Sequence, residues 1–241
     1  MLLSYLSFSL WILSMWAKPT PPTIYIIGDS TAAQKVKKVY PETGWGMCLG
    51  EYLAPEVVLI NKAVNGRSTV SFRMEKRWDS IQKELKKDDV VLIQFGHNDQ
   101  KLDKPGTGCT PEEYAINLGL YVKEARALGA YPILISSIAR RNFKEGVFQD
   151  THGEYPVQMK SVAKQSNVPF IDMHGWSSKV LQGLGEQASQ AYFNHVPAGH
   201  ENYPNGLADN THFSPLGAKE MAKEIARQLK QLNSPIQAFM K

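Results

Sequence analysis

Four separated pieces of the chain carry the residue types of a hydrolytic acyl-transfer site: Gly28-Asp29-Ser30-Thr31, Asn65-Gly66-Arg67, Gly96-His97-Asn98-Asp99 and Asp209-Asn210-Thr211-His212. Ser30 offers a hydroxyl nucleophile. His212, with Asp209 three residues before it, offers a general base and the carboxylate that orients it. That carboxylate would fix the imidazole tautomer and stabilise the imidazolium formed when the ring takes the serine proton. A developing oxyanion needs donors, and the candidates are the backbone N–H groups of Ser30 and Gly66 and the side-chain amide of Asn98.

Each of these residues also has an ordinary explanation. A serine after a strand can be a helix cap, Asp-x-x-His is a common surface pair, and Gly66 and Asn98 could serve only as turn and loop residues. Joined, however, they complete a nucleophile, a base with its orienter and an oxyanion hole, in the order Ser, Asp, His. His97, Asp29 and Asp99 could join Asp209 and His212 as metal ligands, but the spacing matches no metal motif such as H-E-x-x-H. His97 and Asp29 are therefore read as hydrogen-bonding supports, and no metal is expected.

The elements that must position these pieces are legible as apolar runs. Thr23 to Ile27, Val57 to Ile60, Val90 to Phe95, Tyr131 to Ile135 and Val168 to Ile171 read as about five buried strands. They alternate with helical patterns, which predicts a parallel sheet in an α/β fold. Trp78, Ile81 and Leu85 recur on one helical face, and Tyr114, Leu118, Tyr121, Val122, Ala125 and Leu128 form a wider stripe. Thr110-Pro111-Glu112-Glu113 predicts a capped helix start with a capping box. Ser214-Pro215 repeats the signal before a last helix carrying Met221, Ile225 and Leu229. Thr31-Ala32-Ala33-Gln34 is expected to open a helix whose positive end faces the Ser30 hydroxyl. Tyr192 to Asn210 is expected to be a long structureless loop forming a wall of the substrate groove.

With 241 residues, 43% of them hydrophobic, the chain can bury a core as one domain over residues 18–241. Residues 1–17 contain no charged side chain and read as a signal peptide or an anchor, which predicts a secreted or periplasmic protein, although the basic flank and the cleavage site are poor. A net charge of +4 is too mild to imply nucleic-acid binding. Cys48 and Cys109 are too few for a disulfide framework and are expected as free thiols.

The four pieces match the ordered blocks of the SGNH (GDSL) hydrolase superfamily, with Ser30, Gly66, Asn98 and His212 in the name-giving roles. Within it, GDSTAA, Thr43-Gly44-Trp45-Gly46, NKAVNGRSTVSF, VLIQFGHNDQ and DNTHFSPLGA resemble rhamnogalacturonan acetylesterases. The resemblance implies a three-layer α/β/α sandwich with a flavodoxin-like five-stranded parallel sheet. It also implies a carboxylic ester hydrolase of pectic polysaccharide that needs no cofactor. Ser30 would be the nucleophile, His212 the base, Asp209 the orienter, and Ser30, Gly66 and Asn98 the oxyanion hole. An acetylated polysaccharide or oligosaccharide is the expected partner of a monomer, with no nucleic acid and no stable membrane partner unless the first segment is retained.

Flanking residues extend this expectation to sugar binding. Arg67, Arg73, Arg140, Arg141 and the Lys35 to Lys38 cluster could meet uronate carboxylates, and Trp45, Tyr192, Phe193 or Tyr203 could stack on sugar faces. The alternatives are a deacetylase of another glycan such as xylan, a general short-chain esterase, or a catalytically silent carbohydrate-binding domain. An active serine separates the last of these. A fluorophosphonate is expected to label the wild-type chain and not Ser30→Ala, and equal labelling of the two by intact-mass measurement would remove Ser30 as the nucleophile.

Overall fold

The computed structural model describes residues 20–241, and the segment read as a signal or anchor lies outside them. In chain order the elements are β1 (Thr23–Gly28), α1 (Trp45–Cys48), β2 (Val58–Asn61), α2 (Thr69–Met74), α3 (Arg77–Gln82), β3 (Val90–Gln94), α4 (Pro111–Ala127) and β4 (Tyr131–Ile135). There follow a small hairpin of β5 (Phe143–Lys144) and β6 (Val147–Phe148), then α5 (Tyr155–Gln165), β7 (Phe170–Ile171) and α6 (Met173–Ser189). A second hairpin of β8 (Phe193–Val196) and β9 (Leu207–Phe213) leads into α7 (Pro215–Gln231).

The five apolar runs become one sheet of order β2-β1-β3-β4-β7, and each neighbouring pair is parallel. The pleat sends successive side chains to opposite faces, so each strand feeds two cores. Ile24, Ile26, Val90, Leu92, Ile133 and Ile135 pack with Leu181 of α6 and Met221, Ile225 and Leu229 of α7. Tyr25, Ile27, Val91, Ile93 and Leu134 face the other way, against Phe72, Trp78, Leu118, Tyr121 and Met159. Burial on both faces is why the strands read as continuous apolar runs rather than alternating ones. The result is the three-layer α/β/α sandwich of flavodoxin-like strand order.

Two helix starts match their sequence signals. Glu113 N–H donates to Thr110 Oγ1 at 3.2 Å and Thr110 N–H to Glu113 Oε2 at 2.8 Å, a reciprocal capping box. Ser214 Oγ accepts from Gly217 N at 3.1 Å and starts α7. The stripe on α4 is buried from Tyr114 to Ala125, but Leu128 falls beyond the last turn and is exposed.

Two expectations fail. No helix opens at Thr31. Residues 30–33 form a single turn on the Asp29 carbonyl, because the Thr31 hydroxyl is drawn down to Asp29 Oδ1 (2.8 Å) and Gln94 Oε1 (2.9 Å). The stretch from Tyr192 to Asn210 is not structureless either, since β8 and most of β9 lie within it as an antiparallel pair. Its Pro, Gly and Asn content marks the connection at 197–206, which masks the short strands on either side.

Ile225 is fully buried where α7 meets the sheet. Ile225→Ala is expected to cost about 2–5 kcal/mol through lost burial and an unfilled cavity, read as a lower urea midpoint with an unchanged slope.

Candidate active site

Ser30 lies just past the carboxyl end of β1, and Asn65-Gly66-Arg67 and Gly96-His97-Asn98 follow the two strands that flank it. Open α/β sheets build their ligand sites at this edge. Gly28 lets β1 and β3 come together there, since a Cβ on it would stand 2.4 Å from the Gln94 carbonyl oxygen. Gly66 holds φ at +78°, which a side chain would strain.

Asp209 and His212 arrive from the far end of the chain on β9. Phe193 pairs with Phe213 and His195 with Ala208, so residues 209–212 all stand opposite the single Asn194. This four-residue bulge interrupts the β8–β9 ladder. Asp209 Oδ1 accepts from Thr211 N (2.7 Å) and His212 N (2.9 Å), while Oδ2 meets His212 Nδ1 at 2.6 Å. His212 Nε2 then lies 2.8 Å from Ser30 Oγ. Ser30, His212 and Asp209 form one hydrogen-bonded row. Burial alone would raise the Asp209 carboxyl, but the His212 ring and the two amides outweigh it and hold it at about 2.

Buried polar side chains tie the three loops together. Lys35, only 3% exposed, donates to the Ser30 carbonyl (2.5 Å) and Asn65 Oδ1 (2.9 Å) and pairs with Glu42 at 2.6 Å. Asn98 Nδ2 donates to the Arg67 carbonyl at 3.0 Å, and Asn98 Oδ1 accepts from Lys101 Nζ at 2.6 Å. Those two contacts fix the amide orientation and leave the second Nδ2 hydrogen free for an incoming oxygen. Gly66 therefore sits between two pinned residues, Asn65 and Arg67.

Asp29 and His97 form the expected support beneath Ser30. His97 Nδ1 is 3.1 Å from Asp29 Oδ2, and Asp29 Oδ1 accepts from Thr31 N at 2.9 Å. Burial would raise the Asp29 carboxyl, yet His97 and Thr31 together keep it below its usual value. Asp99 is different: burial pushes it up to about 6, and Oδ2 has no hydrogen-bond partner although Oδ1 takes both Thr69 donors. Both cysteines are free thiols, and burial pushes Cys109 up to about 12, which keeps it protonated.

The residues expected to bind sugar fare less well. Trp45 is wholly buried with Nε1 on Gln94 Oε1 (3.2 Å), and Phe193 is 1% exposed, so neither can stack on a sugar. Arg67 pairs with Glu75 at 2.9 Å and Arg73 with Glu124 at 2.8 Å. Arg140 braces Gln100, Thr151 and the His97 carbonyl. Arg141 donates to the Glu186 carbonyl and to Asn210 Oδ1 (2.9 Å), and its backbone N–H to the Asn210 carbonyl (2.8 Å). It grips the crest of the bulge carrying Asp209 and His212. These arginines read as ligands in sequence because nothing there shows which carbonyls and carboxylates surround them.

Residues 26–220 match the GDSL-like Lipase/Acylhydrolase family. The chain belongs to that family. It is a carboxylic ester hydrolase. Rhamnogalacturonan acetylesterase RhgT of Bacillus subtilis is 38% identical to it over 218 residues, covering 90% of this chain and 93% of that one. The probable rhamnogalacturonan acetylesterase YesY of the same organism is 36% identical, covering 88% and 94%. Among solved structures, the acetylxylan esterase Axe2 of Geobacillus stearothermophilus shares the fold at a TM-score of 0.63 and 22% identity, over 86% of this chain and 94% of that one.

Two results should follow in this GDSL hydrolase. Arg141→Met should lower turnover of a small aryl acetate and of an acetylated polymer alike, because it loosens the bulge; a loss confined to the polymer would restore Arg141 as a substrate contact. Asp99 has a folded-state value above its unfolded one, so its stabilisation is full below about pH 4 and fades as pH rises through about 6. Asp99→Asn should abolish that decline, on the order of 2–3 kcal/mol, in denaturant titrations between pH 3 and 7.

Proposed function

We propose that this hydrolase is a serine acetylesterase that removes O-acetyl groups from carbohydrate, with rhamnogalacturonan as the substrate. The observation that carries the reaction is the unbroken row Asp209–His212–Ser30, with contacts of 2.6 and 2.8 Å. Support for the substrate comes from the Bacillus relatives, which align over about nine-tenths of each chain. The likeness to an acetylxylan esterase is a likeness of fold at 22% identity and gives xylan no preference.

In this reading Ser30 Oγ attacks the acetyl carbonyl while His212 Nε2 takes its proton. The carbonyl oxygen becomes an oxyanion facing the Ser30 and Gly66 N–H groups and Asn98 Nδ2. His212 then passes the proton to the departing sugar hydroxyl, leaving an acetyl-enzyme. Water, deprotonated by the same imidazole, releases acetate and restores Ser30. Asp209 stays ionised throughout and steadies the imidazolium.

Uronate carboxylates need cations, and with the four arginines engaged by carbonyls and carboxylates of the protein the candidates extend to Lys37 and Lys38. Both are exposed and line a recess of about 490 Å³ with Tyr40, His200, Glu201 and Asn202, two lysines against one carboxylate. The far wall of that recess is the connection between β8 and β9, the hairpin that carries His212. Asn202 Nδ2 fastens it by donating to the Lys37 and Tyr40 carbonyls at 2.9 and 2.8 Å.

Acetate release from acetylated rhamnogalacturonan should exceed that from acetylated xylan and vanish in Ser30→Ala; release from neither polymer by the folded enzyme would overturn the pectin assignment. Asn98→Ala should lower kcat roughly 10²–10³-fold, and loss of a Ser30, His212 or Asp209 side chain on the order of 10⁴-fold or more. Replacing Lys37 and Lys38 together by Ala should raise KM for the pectic polymer and leave aryl acetate hydrolysis unchanged.

A further inference from the structure

Asp150, His152 and His174 form a cluster that the esterase chemistry does not use. One ligand atom of each lies within 4.8 Å of the others. His174 Nε2 is 2.9 Å from Asp150 Oδ1, and His152 Nδ1 is 4.0 Å from the same oxygen. We propose that Asp150, His152 and His174 are a binding site for a divalent cation of the zinc type, which pins the 149–154 loop to the start of α6.

The geometry suits such an ion. Zinc bonds to imidazole nitrogen and carboxylate oxygen are about 2.1 Å long, so tetrahedral ligands stand about 3.4 Å apart. The two separations to Asp150 Oδ1, 2.9 and 4.0 Å, bracket that value, and a small rotation of the exposed Asp150 carboxylate between the two rings would even them out. Two imidazoles and one carboxylate also make the donor set of an open, three-residue zinc site. Asp150 and His174 reach solvent while His152 is 1% exposed, so an ion would have a buried ligand behind it and room for water in front.

Two of the three ligands are held in advance. Asp150 accepts from the backbone N–H groups of His152 and Gly153, both at 3.0 Å, which curls the loop under its own carboxylate. His174 is the second residue of α6, where its N–H donates to Ser136 Oγ at 2.8 Å and Asp172 caps the helix through Gly175. A preorganised shell of this kind lowers the cost of gathering ligands.

The carboxylate also lacks another cation. Among the described residues no lysine or arginine forms an ion pair with Asp150. The nearby Arg140 is instead engaged by Gln100, Thr151 and His97. Thr151, between two of the ligands, is therefore one hydrogen bond from Arg140, and Arg140 one from the His97 carbonyl, next to Asn98.

The test uses the untagged, metal-stripped full chain titrated with Co²⁺ and then Zn²⁺. One Co²⁺ should bind per chain with visible d–d absorption, and Zn²⁺ should displace it. A hundredfold excess of Zn²⁺ over its Kd should raise Tm by roughly 5–10 °C. Asp150→Asn and His174→Gln, both at partly or fully exposed positions, should abolish binding and the Tm rise. His212→Ala should keep both, because its imidazole belongs to the catalytic row. Absence of stoichiometric binding, binding that survives in Asp150→Asn and His174→Gln, or binding lost only in His212→Ala would each overturn the assignment.

Discussion

The contact between His212 Nε2 and Ser30 Oγ joins residues 182 positions apart, and the fold is arranged so that this one hydrogen bond can form. Ser30 follows the first strand of the sheet, and His212 precedes the last helix. Closing that distance costs chain entropy that the hydrogen bond alone could not offset, since one such bond contributes about 1 kcal/mol net. The two cores supply the difference. Helix α7 is driven onto the sheet by Met221, Ile225 and Leu229, and its Ser214 cap fixes where β9 must end. The base is thus delivered by apolar burial a few residues further along the chain.

Delivery alone leaves the imidazole free to turn, and the bulge in β9 removes that freedom. Four residues opposite one interrupt the β8–β9 ladder, and Asp209 bonds the backbone and ring of His212 together. Arg141 holds the crest from outside. A similar division applies around Gly66, where Lys35 and Asn98 grip Asn65 and Arg67 on either side of it. Lys35 and Arg141, which look like substrate ligands in sequence, are here fasteners of the loops around Ser30 and His212. Their charge suits this work, because hydrogen bonds from a charged donor to carbonyl oxygens are stronger than neutral ones.

Much of the site is legible in the sequence. Ser30, Asp209 and His212 read as a row because nucleophile, base and acid are chemically scarce in combination, and the structure places the three side chains in hydrogen-bond contact. Strands β1, β3 and β4 read correctly because they are buried on both faces, whereas the edge strand β2 shifts by one residue and β7 shrinks to two. The helix expected after Ser30 failed because local propensity competed with Thr31's bonds to Asp29 and Gln94, whose partner on β3 is 63 residues away. The sugar-stacking role of Trp45 failed for the same kind of reason, since a wholly buried indole on Gln94 has the same letter as an exposed one.

The sequence by itself determined the reaction type and the layered α/β architecture, because chemistry depends on residue type and layers depend on hydrophobic period. Only the tertiary structure decided which charges brace the fold, because burial and partners come from residues far along the chain. It alone decided that residues 209–212 form a bulge rather than a turn before a helix, since a bulge exists only relative to a partner strand. It also brought His174 beside Asp150 and His152, a neighbourhood that their separation of more than twenty residues conceals.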